Sequence, residues 1–178
     1  RRWRPAGPAA PATGAGGLDY DWWIRERVRA RSGAYPAPQV DPPAFDILTL
    51  TFETDPQVLR DTARTVFAQD YPHWRWVIWD NGSKGQATLA VLDELARDPR
   101  VLVHKGGENL GIAGGHLEGL KLCRAEYVAL LDHDDLLYPD ALRVHAWHIA
   151  RYGRPDFLFT DEDKCEAASG CRHYPYFK

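Results

Sequence analysis

Glu126-Tyr-Val-Ala-Leu-Leu-Asp132-His-Asp134-Asp135-Leu-Leu137 is the stretch on which both fold and function turn. An apolar run without Gly or Pro is long enough for a buried strand, and it ends abruptly in three carboxylates within four residues. Side chains alternate along an extended strand, so Asp132 and Asp134 share a face if the extended conformation persists through His133. Two carboxylates converging at one strand end repel each other, and a cation or solvent must offset that repulsion. Hard divalent ions such as Mg²⁺ or Mn²⁺ suit carboxylate oxygens and complete their shell with water and phosphate. The competing reading is an Asp-x-Asp that solvates a loop and caps the next helix. The surrounding chain decides between them.

Working outward, the run is one beat of a regular alternation. Phe45 to Phe52 reads as a first strand, Pro56 to Gln69 as a helix capped by Asp55, and Trp74 to Trp79 as a second strand. Gln86 to Arg97 reads as a helix, Val101 to His104 as a third strand, and Ile112 to Cys123 as a helix entered through a Gly-rich loop. Tyr127 to Leu131 is then the fourth strand, Pro139 to Tyr152 a helix, and Phe157 to Thr160 a fifth strand. Such alternation predicts an α/β fold: a mostly parallel sheet with helices on both faces, a Rossmann-like arrangement. Ligands of such sheets bind beyond the carboxyl ends of the strands, near the point where strand order reverses. Polar clusters stand at all five predicted ends: Thr51 to Thr54, Asp80 to Ser83, Lys105 to Asn109, Asp132 to Asp135 and Asp161 to Asp163. One site is expected to collect them.

The rest of the chain is organised around that domain, taken as residues 44–178. Residues 1–17 are Pro, Ala and Gly-rich, a composition that cannot offset its ordering entropy, and are expected to be a disordered lead. Residues 18–43 hold a basic amphipathic helix, Leu18 to Arg31, and a Pro-rich linker. That helix, with Trp22 and Trp23, suits either docking on the domain or peripheral contact with an anionic membrane. Residues 1–31 carry seven Arg against two Asp and one Glu, a balance of +4, which leaves −7 on the remainder of a chain whose net charge is −3. An acidic domain gives no reason to expect nucleic acid as a partner. Three Cys do not make a disulfide framework and point to a reducing, cytoplasmic setting, with Cys165 and Cys171 as ordinary thiols for want of further metal ligands. No apolar run reaches the length of a membrane span.

Four segments in order carry a resemblance: AQDYPHWRWVIWDNGS (68–83), ENLGIAGG (108–115), YVALLDHDDLLYPDAL (127–142) and FTDEDK (159–164). From about Phe45 onward the sequence resembles the inverting family 2 glycosyltransferases of the glycosyltransferase-A fold, in particular bacterial enzymes of O-antigen and related cell-surface polysaccharide synthesis. The resemblance implies transfer of a hexose or deoxyhexose, with rhamnose the first candidate, from a UDP- or dTDP-sugar to a glycan or lipid-linked glycan acceptor. It implies that Asp80 meets the nucleobase, where a carboxylate can accept from the imide N–H of uracil or thymine. It places Thr51, Glu53, Asp80, Asn109, Gly111, Gly114 and Asp132 around the nucleotide sugar, and Asp132 and Asp134 on a Mn²⁺ or Mg²⁺ ion. The ion is required because the leaving diphosphate gains negative charge.

The departures are specific. Glu53 stands where relatives commonly carry Asn, Asn81 where they carry a second Asp, and Leu117 where Asn is frequent. The acidic base that takes the acceptor's proton in such enzymes has no counterpart before Lys178, so the chain reads as a donor-binding part with its acceptor part expected beyond that residue. Asp163 is the candidate base among the residues present, although Asp161 to Asp163 follow Asp134 closely and suit ordering the sugar or acceptor edge. The alternative is a truncated or degenerate domain that binds nucleotide or a partner without catalysis. A phosphatase is disfavoured because its Asp-x-Asp would follow the first strand. A dinucleotide fold or an NTPase is disfavoured because the Gly-rich loop lacks both phosphate-binding patterns.

Overall fold

The computed structural model describes residues 17–30, 33–166 and 172–176. The expected disordered lead lies outside the described residues except for Gly17, as does Cys171. The chain forms two compact units, one of residues 36–154 and one that joins residues 1–35 to 155–178.

The larger unit is built on four parallel strands: β1 (Phe45–Thr51), β2 (Trp74–Asp80), β3 (Val101–Lys105) and β4 (Tyr127–Leu130), in the order β3-β2-β1-β4. The two central strands are near-continuous apolar runs because both of their faces are covered. Ile47, Leu48, Trp76, Val77 and Ile78 are fully buried, each contributing about 1.5–3 kcal/mol through burial of its side chain. Trp76 and Thr49 share one face, where the indole N–H donates to Thr49 Oγ1 at 2.9 Å and Phe67 of α2 (Pro56–Phe67) packs edge-on against the indole. Asp55 caps α2 through the N–H groups of Gln57 and Val58, with Pro56 in the first turn. α3 (Gln86–Leu95) packs against α2 and β3. The opposite face carries α4 (Gly111–Leu120), which comes close because Gly115 and Gly119 face the sheet. A Cβ on Gly119 would stand 2.7 Å from Leu48 Cδ1, and one on Gly115 would overlap Leu50. α5 (Ala141–Arg151) starts two residues after Pro139, which lies before the N-cap Asp140 rather than in the first turn.

The smaller unit pairs α1 (Gly17–Ala30) with an antiparallel hairpin of β5 (Glu162–Cys165) and β6 (Arg172–Tyr176). Tyr20 donates to Asp163 Oδ2 at 3.2 Å, Trp23 lies beside Tyr20, and Arg27 stacks over Trp23, so this side of the helix is engaged with its own unit. Trp22 is exposed. No helix among the described residues is long and apolar enough to cross a membrane.

The expected fifth strand at Phe157 to Thr160 is not formed. Its alternating pattern suits a strand, but a strand needs a ladder partner, and this segment pairs with none among the described residues. Phe157 and Phe159 are 78% and 62% exposed, and pairing begins only at Glu162, within the hairpin.

Candidate functional site

Parallel register brings the strand ends into line. Thr51 pairs with Asp80 and Asp80 with Lys105, while β4 runs beside β1 from the other side. Strand order therefore reverses between β1 and β4, and the crevice beyond their carboxyl ends is where this topology places a ligand.

At the end of β2 the polar side chains are turned inward. Asp80 is 1% exposed. Its Oδ1 accepts from Thr51 Oγ1 at 3.1 Å and from Ser83 Oγ at 2.5 Å, and its Oδ2 accepts from the Ser83 N–H at 3.0 Å. Ser83 Oγ in turn accepts from the Glu53 N–H at 2.8 Å. The carboxylate thus ties the loops after β1 and β2 into one platform. Glu53 has φ +47°, the left-handed region in which Asn is better tolerated than Glu. Its carboxylate accepts from the N–H groups of Lys84 at 2.6 Å and Gly85 at 3.1 Å, just before α3. Lys84 Nζ reaches the Gly107 carbonyl at 3.2 Å and ties in the loop after β3.

Asn81 joins that loop from beneath. Its amide donates to Asn109 Oδ1 at 2.8 Å and to the Gly111 carbonyl at 3.2 Å, and its Oδ1 accepts from the Leu110 N–H at 3.1 Å. Asn109 Oδ1 also accepts from the Gly111 N–H at 2.8 Å, and Gly111 sits at φ +71°. The contact between the loops is close enough that a Cβ on Gly82 would meet the Glu108 backbone at 2.7 Å. Gly114 lies in the first turn of α4, whose N-cap, Leu110, supplies no side-chain acceptor. The sequence places Asn81 and Ser83 in the polar cluster after β2 without assigning either a role, and gives no sign of Lys84. The Asn-Gly pair directly after a strand end was the available signal.

At the end of β4 the arrangement is the opposite. The ladder continues one residue past β4, where the Leu131 N–H donates to Leu48 O at 3.0 Å. The chain then turns, with the Asp135 N–H donating to Asp132 O at 3.2 Å, so the extended conformation does not persist through His133. Strand alternation therefore does not set the directions of Asp132 and Asp134. The turn is anchored through its backbone: Thr62 Oγ1 of α2 donates to His133 O at 2.9 Å, and Thr65 Oγ1 accepts from the Leu137 N–H at 3.1 Å. Asp132 is exposed and the Asp134 side chain is 61% exposed. His133 Nδ1 stands 4.0 Å from Asp134 Oδ1, and this buried nitrogen has no hydrogen-bond partner among the described residues.

A hard divalent cation that keeps much of its own shell is the kind these residues would suit. Asp132 and Asp134 would offer it two exposed carboxylates, and no group of three His, Cys, Asp or Glu able to hold a metal occurs among the described residues. Water and a diphosphate would have to complete the coordination. Four of the five polar clusters belong to this unit. The fifth belongs to the smaller unit, where Asp163 accepts from Tyr20 and, at 2.9 Å, from Arg172 Nη1.

Comparison with known proteins gives the same picture at the level of fold and family. Residues 46–159 match the family model described as Glycosyl transferase family 2. The O-antigen biosynthesis protein RfbC of Myxococcus xanthus is 30% identical over 181 residues, which is 98% of this chain and 14% of that protein. The chain spans only 14–15% of the length of the first curated relatives it matches. Among solved structures, S. aureus TarS 1-349 in complex with UDP-GlcNAc superposes with a TM-score of 0.58 at 21% identity, covering 62% of this chain and 32% of that one. The mannosyltransferase PcManGT from Pyrobaculum calidifontis, in complex with GDP-Man and Mn²⁺, gives 0.55 at 20% identity, covering 71% and 39%. At these identities the structural likeness establishes the fold.

Proposed function

Because the chain belongs to glycosyl transferase family 2, we propose that it is the nucleotide-sugar-binding part of an inverting glycosyltransferase that builds a cell-surface glycan. The donor is a UDP- or dTDP-activated hexose or deoxyhexose, with rhamnose the first sugar to try, and the acceptor is a glycan or lipid-linked glycan. The observation that carries this reading is the placement of Asp132 and Asp134. They are outward-facing carboxylates at the β1/β4 switch point, on a turn whose backbone is pinned while the side chains stay exposed. A relative named for O-antigen synthesis and neighbours solved with UDP-GlcNAc or with GDP-Man and Mn²⁺ support a nucleotide-sugar donor and a divalent metal.

Asp132 and Asp134 would hold Mg²⁺ or Mn²⁺, which when bound neutralises charge on the departing diphosphate. The Asp80, Ser83 and Thr51 cluster holds the floor of the base end of the crevice, and Asn81 fixes Asn109 and Gly111 beside it. Asp80 would meet the nucleobase through the acceptor capacity left beside its bonds to Thr51 and Ser83. The setting is the cytoplasm, and α1 serves its own unit before any membrane. A nucleotide-binding domain without transfer activity is the second reading, favoured by Glu53, whose carboxylate occupies N–H groups beside the crevice.

Titration calorimetry with UDP and dTDP, with and without Mn²⁺, tests the donor reading. Binding strengthened by Mn²⁺ is expected, with the enhancement absent in Asp134→Ala. Metal-independent binding, or none, would count against it.

A further inference from the structure

A second place in the larger unit has the makings of a binding site, at the carboxyl ends of β2 and β3 on the side of α4, where Glu108 and Leu110 adjoin Asn109 of the loop after β3. A cavity of about 440 Å³ opens there between the loop after β3 and the side of α4. Its aromatic wall is Trp79 stacked on His104, with ring centroids 4.5 Å apart and planes 12° from parallel. Trp79 is 8% exposed whereas His104 is exposed, so the imidazole forms the accessible surface of the stack. The indole N–H is buried and has no acceptor among the described residues. The ring edge adjoining that N–H lies beneath Gly106, where an added Cβ would come within 3.3 Å of Trp79 Cζ2.

The charges around the cavity are unequal. Lys105 Nζ is held by Asp93 at 2.6 Å, and Glu118 is held by Lys121 at 2.6 Å. Glu108 also lines the cavity, and its carboxylate has no ion-pair or hydrogen-bond partner among the described residues. An anionic ligand would meet an uncompensated carboxylate. A cation would look for an open indole face, but Trp79 is buried and stacked. A neutral, hydroxyl-rich ring meets neither objection. Its C–H face can lie on the imidazole and its hydroxyls can donate to Glu108. The volume falls within the range of small-molecule sites.

We propose that this cavity binds an uncharged sugar ring, as a glycan-holding subsite separate from the crevice. The inference stands on the cavity and its side chains and does not require the donor reading. The test is saturation-transfer NMR of the 178-residue chain with methyl α-L-rhamnopyranoside and methyl β-D-glucopyranoside, repeated with saturating UDP and Mn²⁺ and with choline chloride as a cationic control. Saturation transfer to at least one glycoside is expected, undiminished by UDP. His104→Ala and Glu108→Gln should each weaken it by about ten-fold, the scale of one charge-assisted hydrogen bond or stacking contact. Glu108→Gln replaces a side chain that bonds to nothing described, so it keeps the test interpretable should His104→Ala misfold. Absence of transfer, displacement by UDP, equal binding by Glu108→Gln, or equal binding of choline would each overturn the proposal.

Discussion

The carboxyl ends of β2 and β4 carry the same chemistry and use it in opposite ways. At β2, Asp80, Asn81 and Ser83 are 1%, 2% and 6% exposed, and each is hydrogen-bonded within the chain. At β4, Asp132 and Asp134 face outward, while the turn that bears them is held by backbone bonds to Thr62 and Thr65. Neighbourhood explains the difference. β2 lies between β1 and β3, whose loops fold over its end, whereas among the described residues β4 has only β1 beside it in the sheet. An aspartate closed in on both sides must find donors or be excluded. One at an open edge is free to meet a ligand. Under the proposed function the β2 end is therefore largely scaffold, with the rest of Asp80's acceptor capacity left for a base, and the β4 end is the binding edge.

The contrast breaks most readily through Asp80→Ala. That change strands the Thr51 hydroxyl and the Ser83 N–H and hydroxyl, and it should lower unfolding free energy by about 3 kcal/mol. Asp134→Ala, measured in the same urea titrations, should change stability by less than about 0.5 kcal/mol. If the two variants were equally destabilised, the division into scaffold and binding edge would fail. Asn81→Asp comes next. A carboxylate at that position cannot donate to Asn109 Oδ1 and the Gly111 carbonyl, and it adds a buried negative charge beside Asp80, so a loss of about 2 kcal/mol is expected. If stability were unchanged, the amide would not be the link that holds the loop after β3.

These side chains also show what the sequence could and could not tell. The strand and helix alternation was readable because the runs at Phe45–Thr51 and Trp74–Asp80 are apolar enough to be buried on both faces, and the Asp55-Pro56 pair announced the start of α2. Asn81 read as a departure from relatives, since its partners are 28–30 residues away and no local pattern points to them. Asp80 read as a group facing a ligand, and its burial comes from the loops after β1 and β2 closing over it, a tertiary event that no local pattern announces. Strand alternation could not predict the directions of Asp132 and Asp134, because Thr62, some seventy residues earlier, helps to pin a turn at His133. Phe157 to Thr160 has a strand's pattern but no pairing among the described residues, and pattern alone cannot supply a partner.

Asp46 at the amino end of β1 sharpens the comparison under acid. Burial pushes its pKa up, but the Arg75 guanidinium, bonded through Nε at 2.8 Å and Nη2 at 2.9 Å, together with the N–H groups of Ala125 and Arg124, outweighs burial. The carboxyl is held below its ordinary value near 3.8. A depressed folded-state pKa contributes stability that is complete above the unfolded value and is lost as pH falls through the folded value. Unfolding free energy should therefore decline below about pH 4, and Asp46→Asn should flatten that acid limb. An unchanged limb would mean that some other carboxylate governs the acid transition.

The smallest effect should come from Glu53, which lies between the two regimes, exposed but hydrogen-bonded. Glu53→Asn relieves a left-handed backbone that costs a Glu about 1 kcal/mol, and it gives up hydrogen bonds to the Lys84 and Gly85 N–H groups worth about the same. Net stability should barely move. Nucleotide affinity is the sharper readout, because the change removes a negative charge beside the crevice where a diphosphate would lie. Both Glu53→Asn and the isosteric Glu53→Gln should tighten UDP binding by about three-fold, the scale of one exposed charge interaction. Gln keeps the side chain's length and one acceptor, so a gain shared by both variants assigns the effect to charge rather than to loop geometry. Weaker binding in both would instead make the Glu53 carboxylate a direct donor contact, and would move the loop after β1 from scaffold to binding edge.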